Sequence, residues 1–303
     1  MSAETLHGYR GLACGDDYNT LSVLSDKPLP PSDGAMKIFV YANCQGQAFK
    51  TFLPQLKDGL AIRHVENWLA LSGEIPVDSF LSDLREADVL IYQPIGEQHG
   101  FLSTSDKVDS LIGAVRPDCQ LISFPYIYND GLWPMLEEGG KVLNGSVVDP
   151  LLEAGAGEEE IFAAYDEDRL DFRFAERLEN TVRILADREA ETDVRVADFI
   201  SNQFRRQELF LTQNHPTTPT IVEMINQVAP RLWDAPRVLD AAEFDPNIVG
   251  LPGRIPVDRY AHRELGLTYQ AEPDEGAEHY FRNLLRMHMA NWAADRAAVD
   301  AAA

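Results

Sequence analysis

Met36-Lys37-Ile38-Phe39-Val40-Tyr41-Ala42-Asn43-Cys44-Gln45-Gly46-Gln47 is the stretch on which the fold turns. Met36 to Ala42 is a short run rich in apolar residues, with the length and composition of a strand. Ala48 to Leu56 then carries apolar residues at helical spacing, so Cys44 falls in the turn between strand and helix. A thiol in that turn can be reactive. Backbone N–H groups and the positive end of the helix dipole favour a thiolate, lowering a cysteine pKa below its free value of about 8.5. Gly46 lets a ligand approach the backbone, and Asn43, Gln45 and Gln47 offer amide donors to an oxyanion or phosphate. The same position also suits a small cysteine buried under the sheet, since free cysteines are among the most buried residues.

Outward from this turn, strand-like and helix-like stretches alternate. After the helix to Leu56 come Ala61 to Val65, a helix around Asp78 to Arg85, Val89 to Gln93, a helix around Lys107 to Ala114, and Gln120 to Tyr128. Short apolar runs separated by helices predict an α/β fold, a parallel sheet with helices on both faces. Ligands of such sheets bind beyond the carboxyl ends of the strands, where Cys44, Gln93 with Pro94, and Phe124 with Pro125 are expected. Residues 1–35 mix Gly, Pro, Ser and Asp without a period and read as an extended N-terminal arm. An α/β domain is expected over 36–228, with a mainly helical insertion at about 150–195. Residues 229–303 read as a proline-rich, loop-rich region with a helix from Ala277, packed on the core. Pro219 and the capping-box spacing of Thr220 and Glu223 predict a helix to Val228 that begins just after His215.

Composition narrows the classes of partner. The 303 residues hold 26 Lys plus Arg against 49 Asp plus Glu, a net charge of -23 that repels phosphate backbones and argues against nucleic-acid binding. An anionic ligand therefore needs a local basic pocket, for which Arg205 and Arg206 are candidates unless they pair with Glu208. Cys14, Cys44 and Cys119 form no C-x-x-C pair and no even framework, which argues against structural zinc and disulfides. No metal is expected, because H-x-x-x-H, H-x-x-E-H and paired Asp motifs are missing. Neither a signal-peptide stretch nor a run of about 18 to 20 apolar residues occurs, so a cytoplasmic protein without membrane insertion is expected.

A cysteine nucleophile needs a base, usually a histidine. His215 lies in the polar turn Gln213-Asn214-His215-Pro216-Thr217 and is the preferred partner. A structural turn histidine bonded to backbone would look the same from sequence. His64 is expected along a strand, His99 in a loop after Gln93-Pro94, and His279 and His288 on the C-terminal helix. The group that orients His215 is left open between Asp198, Glu208 and a backbone carbonyl. Tyr126, in Ser123-Phe124-Pro125-Tyr126, reads as core packing or as a platform for an adenine or sugar ring.

Together, Tyr41-Ala42-Asn43-Cys44-Gln45-Gly46-Gln47, Tyr92-Gln93-Pro94, Phe124-Pro125-Tyr126 and Leu209-Phe210-Leu211-Thr212-Gln213-Asn214-His215-Pro216-Thr217 resemble the WcbI-type polysaccharide biosynthesis family, over about Met36 to Val228. That resemblance implies a coenzyme A site and acetyl transfer to a sugar of capsular or other surface polysaccharide. It makes Cys44 and His215 the expected catalytic pair. Asn43, Gln45, Gln47, Gln93 and Asn214 become oxyanion or substrate contacts, and Gly46, Tyr126, Arg205 and Arg206 contacts for coenzyme A. The turn is also similar to the nucleophile position of SGNH-type esterases, with Cys44 in place of serine. Those enzymes carry Asp three residues before the histidine, where this chain has Thr212. The alternatives are therefore a cysteine esterase on the same site and a non-catalytic module that binds coenzyme A or glycans.

Overall fold

The structure, a computed structural model, describes residues 34–137, 142–143, 145–251, 253–269 and 274–302. Most of the expected N-terminal arm, Cys14 included, lies outside these residues. In chain order the elements are β1 (Met36–Ala42), α1 (Gln47–Leu56), β2 (Leu60–Glu66), α2 (Asn67–Ser72), α3 (Leu81–Arg85), β3 (Val89–Tyr92), β4 (Gln120–Ser123), β5 (Leu136–Glu137) and β6 (Val142–Leu143). They continue as α4 (Asp149–Glu153), α5 (Glu158–Asp166), α6 (Phe174–Glu189), α7 (Ala197–Gln203), β7 (Phe210–Thr212), β8 (His215–Pro216), α8 (Thr218–Leu232), α9 (Arg259–Leu265) and α10 (Ala277–Ala302).

The chain forms two compact units, each discontinuous in sequence. Among the described residues, the first holds the chain up to Ile127, then Arg183–Asn202 and His215–Gly253. The second holds Tyr128–Val182, Gln203–Asn214 and the chain from Arg254.

The first unit is an α/β layer built on a four-stranded parallel sheet of order β2-β1-β3-β4. β1 is central, and Ile38 to Ala42 are fully buried because both faces of the strand are covered. On one face Phe39, Tyr41, Val65 and Leu90 pack with Leu69 of α2 and Leu84 of α3. On the other, α1 presents Phe49, Phe52 and Leu53, one stripe at helical spacing. Phe49 meets Phe124 edge-on at 5.1 Å, Phe52 meets Phe244 at 5.1 Å, and α8 packs along α1. From β1 the chain first moves to β2 on one side and then to β3 on the other. The carboxyl ends of β1 and β3 therefore flank the point where strand order reverses, the usual ligand crevice of open α/β sheets.

Three expectations give way. The helix expected around Lys107 to Ala114 is only a 3₁₀ turn at Ile112–Ala114. Ser110 Oγ donates to the carbonyls of Ser105 and Lys107 and accepts the Gly113 N–H, so a side chain competes with the helix for backbone groups. The strand expected to Tyr128 stops at Ser123, just before Pro125, which has no N–H for a ladder. The helix after His215 begins where expected, at Thr218 with Pro219 in its first turn, but it runs past Val228 to Leu232, and Thr220 lies buried inside it and not at its cap.

The second unit carries the short antiparallel pair β5 and β6 and most of the remaining helices. Its buried aromatic group sets Tyr165 against Tyr260 at 5.5 Å and Phe172 against Tyr260 at 5.2 Å. Asp258 caps α9 through the Tyr260 N–H at 2.8 Å and accepts the Tyr165 hydroxyl. α9 interrupts what the sequence reads as loop between Ala229 and Gln270. On α10, His279 bonds Asn283 at 2.9 Å, and His288 bonds Asp149 at 2.6 Å. No helix among the described residues is long and apolar enough to cross a membrane.

Candidate functional site

After Ala42 the chain leaves β1 through Asn43, in extended conformation, and turns through a 3₁₀ segment at Cys44–Gly46 directly into α1. Asn43 caps this turn: its Oδ1 accepts the Gln45 N–H at 3.0 Å and its carbonyl accepts the Gly46 N–H at 2.9 Å. Burial then sorts the turn. Asn43 and Gln45 are 3% and 1% exposed, whereas Cys44 and Gln47 are half-buried and reach the surface.

The inward amides staple three loops together. Gln45 Nε2 donates to the Ile127 carbonyl at 2.6 Å, and Gln45 Oε1 accepts the Ile127 N–H at 3.2 Å. Gln93, just after β3, accepts the Asn43 N–H on Oε1 at 2.9 Å. Its Nε2 donates to Gln45 Oε1 at 3.0 Å and reaches the Pro125 carbonyl at 3.5 Å. The loops following β1, β3 and β4 are thus fixed by one buried hydrogen-bonded set, which locks the Cys44 backbone. Both amide hydrogens of Gln93 are engaged here. Gln47, whose side chain has no hydrogen-bond partner among the described residues, is the turn's outward amide.

Beneath the turn lies His64, on β2 as its sequence context suggests. Its Nε2 is 3.0 Å from the Asn43 carbonyl and 3.2 Å from the Ala42 carbonyl, two acceptors that require the proton on Nε2. Burial lowers its pKa to about 4, so the ring is neutral near pH 7. A Cβ on Gly46 would stand 2.5 Å from His64 Nε2 and 3.0 Å from the Ala42 Cβ. What approaches the Gly46 backbone is therefore the His64 ring. Gly46 has ordinary helical dihedrals, and its missing side chain serves close packing rather than a special turn.

Glu66 ends β2 opposite Ala42 in the strand register. It is 3% exposed, accepts the Trp68 indole N–H at 2.6 Å, and is pushed up to about 7 by burial. The folded carboxyl therefore keeps its proton to about pH 7, and the unfolded one only to about 4.5. Between these values the folded state binds the extra proton, so this group's contribution to stability falls as pH rises through the window. The loss amounts to about 3 kcal/mol by pH 8. Glu66→Gln is expected to raise stability over wild type at pH 8 and to differ little at pH 4.5, read from denaturant unfolding at both values. An equal difference at the two pH values would contradict the assignment.

A cavity of about 230 Å³ opens beyond β3 and β4. It is bounded by Gln93 to Ile95, Pro125 and Tyr126, Asn67 at the start of α2, and the C-terminal end of α6 with the segment after it. Arg188 of α6 donates to the Tyr126 carbonyl at 3.0 Å and lies over the Tyr126 ring at 5.2 Å. Sequence reading missed Arg188, Asn67, His64 as a support and Glu66.

His215 is 2% exposed and precedes α8, the helix packed on α1; Cys44 and His215 belong to the same unit and lead into adjacent helices. Asn214, Arg205 and Arg206 belong to the second unit. There Asn214 Oδ1 accepts the Thr212 hydroxyl at 3.0 Å, and Arg205 Nε donates to the Leu265 carbonyl at 2.9 Å. Glu208 pairs with Arg254 at 2.6 Å, while Asp198 is exposed on α7. Burial pushes the Cys119 thiol up to about 11, which keeps it protonated. No group of three or more His, Cys, Asp or Glu among the described residues is arranged to hold a metal ion.

Comparison with curated proteins finds no match. Among solved structures, the chain is similar to WcbI, described as a novel polysaccharide biosynthesis enzyme, in a native form without a disulfide bond between coenzyme A and one of its cysteines. The two share 20% identity over 74% of this chain and 76% of that one, with a TM-score of 0.57, so the α/β fold is common to both. The family model described as "Polysaccharide biosynthesis enzyme WcbI" matches residues 37–233, spanning the sheet, the Cys44 turn and the His215 segment. The chain belongs to the WcbI family of polysaccharide biosynthesis enzymes.

Proposed function

We propose that this protein is a cytoplasmic acyltransferase that moves an acetyl group from acetyl-coenzyme A to a sugar hydroxyl during capsular or other surface polysaccharide biosynthesis. The observation that carries the reading is a half-buried thiol that reaches the surface at a helix start, held at the strand-order reversal by a buried amide set anchored on Gln93. The relative's association with coenzyme A and a cysteine supports it further.

The residues at this turn suit a coenzyme A thioester. Lys50, half-buried in the first turn of α1, puts a basic residue in the segment after Cys44 of an otherwise acidic chain. The Gln47 side chain is the donor for the carbonyl oxygen as it gains charge, because the Gln45 and Gly46 N–H groups are bound to Asn43 and the Gln47 N–H to the Cys44 carbonyl. Coenzyme A supplies an activated acyl group and a thiolate leaving group. Cys44 then has two uses. It accepts the acetyl as a thioester, an exchange nearly balanced against the one broken, or it shapes the oxyanion site while the acceptor attacks directly. In either case His215 takes the proton from the acceptor hydroxyl as its oxygen bonds to the acetyl carbon. Asn43, Gln45 and Gln93 hold the turn in place, so their amides act through the backbone of Cys44.

A thermal melt with coenzyme A, with adenosine as a partial ligand for comparison, tests this site. Ligand at about 100 times its dissociation constant adds about 2.7 kcal/mol to the stability of a native state that alone binds it. The expected result is a melting temperature several degrees higher with coenzyme A than with adenosine. No shift at saturating coenzyme A would overturn the acetyltransferase reading.

A further inference from the structure

The cavity beyond β3 and β4 contains a polar group that the fold leaves unanswered. Asn67 is 4% exposed and lines the cavity, yet its side chain has no hydrogen-bond partner among the described residues. The nearby buried amides behave differently, for Gln45 and Gln93 are bonded on both amide atoms. An amide that no protein group answers and that opens to the cavity bonds to whatever fills it, water or a ligand hydroxyl.

The remaining walls define what would. Ile95, Pro125 and the Tyr126 ring give an apolar platform, and Glu191 and Thr192 border it on the α6 side. Arg188 is the cation of the lining, and it is already held by the Tyr126 carbonyl and ring. Against it stand Asp187, paired with Arg183 at 3.2 Å, and Glu191, which has no ion-pair partner among the described residues. Two carboxylates to one occupied guanidinium disfavour phosphate and favour hydroxyl donors, and an aromatic face with flanking carboxylate and amide suits a sugar ring. Gln93 links the cavity to the chemistry, since it lines the wall and also holds the N–H of the residue before Cys44.

We infer that this cavity is the acceptor subsite and takes a neutral sugar ring, with Asn67 and Glu191 bonding its hydroxyls over the Tyr126 platform. The inference rests on the acyl-transfer reading above.

The test is saturation-transfer NMR on the full-length protein with methyl glucoside, methyl galactoside, methyl mannoside and N-acetylglucosamine, and glucose 6-phosphate as the anionic comparison. At least one neutral sugar is expected to bind, and glucose 6-phosphate more weakly. Asn67→Leu is expected to weaken that sugar by about tenfold, the scale of one lost hydrogen bond, and Glu191→Ala several-fold without altering the unliganded melt. Both variants are expected to keep the coenzyme A melting shift. Sugar binding by neither protein nor variants, or binding unchanged in both, overturns the subsite. Loss of the coenzyme A shift in Asn67→Leu with unchanged unliganded stability also overturns it, by giving the cavity to coenzyme A. A wild type that binds the sugar through Asn67 but shows no coenzyme A shift would instead sink the acetyltransferase reading and leave a sugar site.

Discussion

Gly46→Ala is expected to destabilise the protein by about 3 kcal/mol and to abolish the coenzyme A melting shift. The added Cβ would meet His64 at 2.5 Å from Nε2 and 2.7 Å from Cδ2, too close for either atom. The ring cannot swing aside freely: it is buried, and its Nε2 is bound to the carbonyls of Ala42 and Asn43. Relief must come from moving the ring or the turn. Overpacking of this kind costs about 1 to 3 kcal/mol, and a buried donor left without its acceptor adds about 1 to 3 kcal/mol more. The displaced element is the backbone that carries Cys44, so ligand binding should fall with stability. Double-mutant analysis isolates the cause. His64→Ala removes the obstructing ring, and in that background Gly46→Ala should cost far less than it does alone. Additive effects of the two changes would contradict the contact.

Cys44→Ala and His215→Ala are expected to remove acyl transfer, Cys44→Ala with the fold intact and His215→Ala with some loss of stability because the ring is buried. Loss of an oxyanion-site group alone costs about 10² to 10³ in rate, so at least a hundredfold fall is expected for Cys44→Ala. Loss of a general base costs about 10² to 10⁴, which sets the range for His215→Ala. Transfer of labelled acetyl from acetyl-coenzyme A to a glycan acceptor is the measurement. Cys119→Ala serves as the comparison, because its thiol is held protonated and it should retain transfer within about twofold. Equal activity in wild type and Cys44→Ala would remove the thiol from the mechanism.

Much of the sheet is legible in the sequence, because β1 and β3 are short, nearly continuous apolar runs and a strand buried on both faces requires that pattern, while the edge strand β2 is marked only by Leu60 to Ile62 and Val65. α1 is equally plain, with Phe49, Phe52 and Leu53 at helical spacing directly after the turn. The Lys107 to Ala114 segment misleads because its apolar residues sit at helical spacing while Ser110 diverts the backbone, a local contest that periodicity does not register. In the site, the strand–turn–helix placement of Cys44 is readable because it depends on neighbours in sequence. The supports are not. His64 lies about twenty residues from Gly46, and only the parallel register of β1 with β2 sets its ring beneath the turn. Gln45 and Gln93 look like free amides until the loops after β1, β3 and β4 converge and consume them. Glu66 and Asn67 read as an ordinary strand end, and Arg188 as one charge on a charged helix.

Acetyl-coenzyme A turnover by the wild-type protein, followed as free coenzyme A with and without a glycan acceptor, tests the central claim most directly. A transferase must hold water away from its acyl group until an acceptor arrives. Multiple-turnover release is expected with acceptor, with acetyl recovered on the sugar, and at most one equivalent without it. Multiple-turnover release in the absence of any acceptor would contradict the claim and make the Cys44 turn the site of a thioesterase.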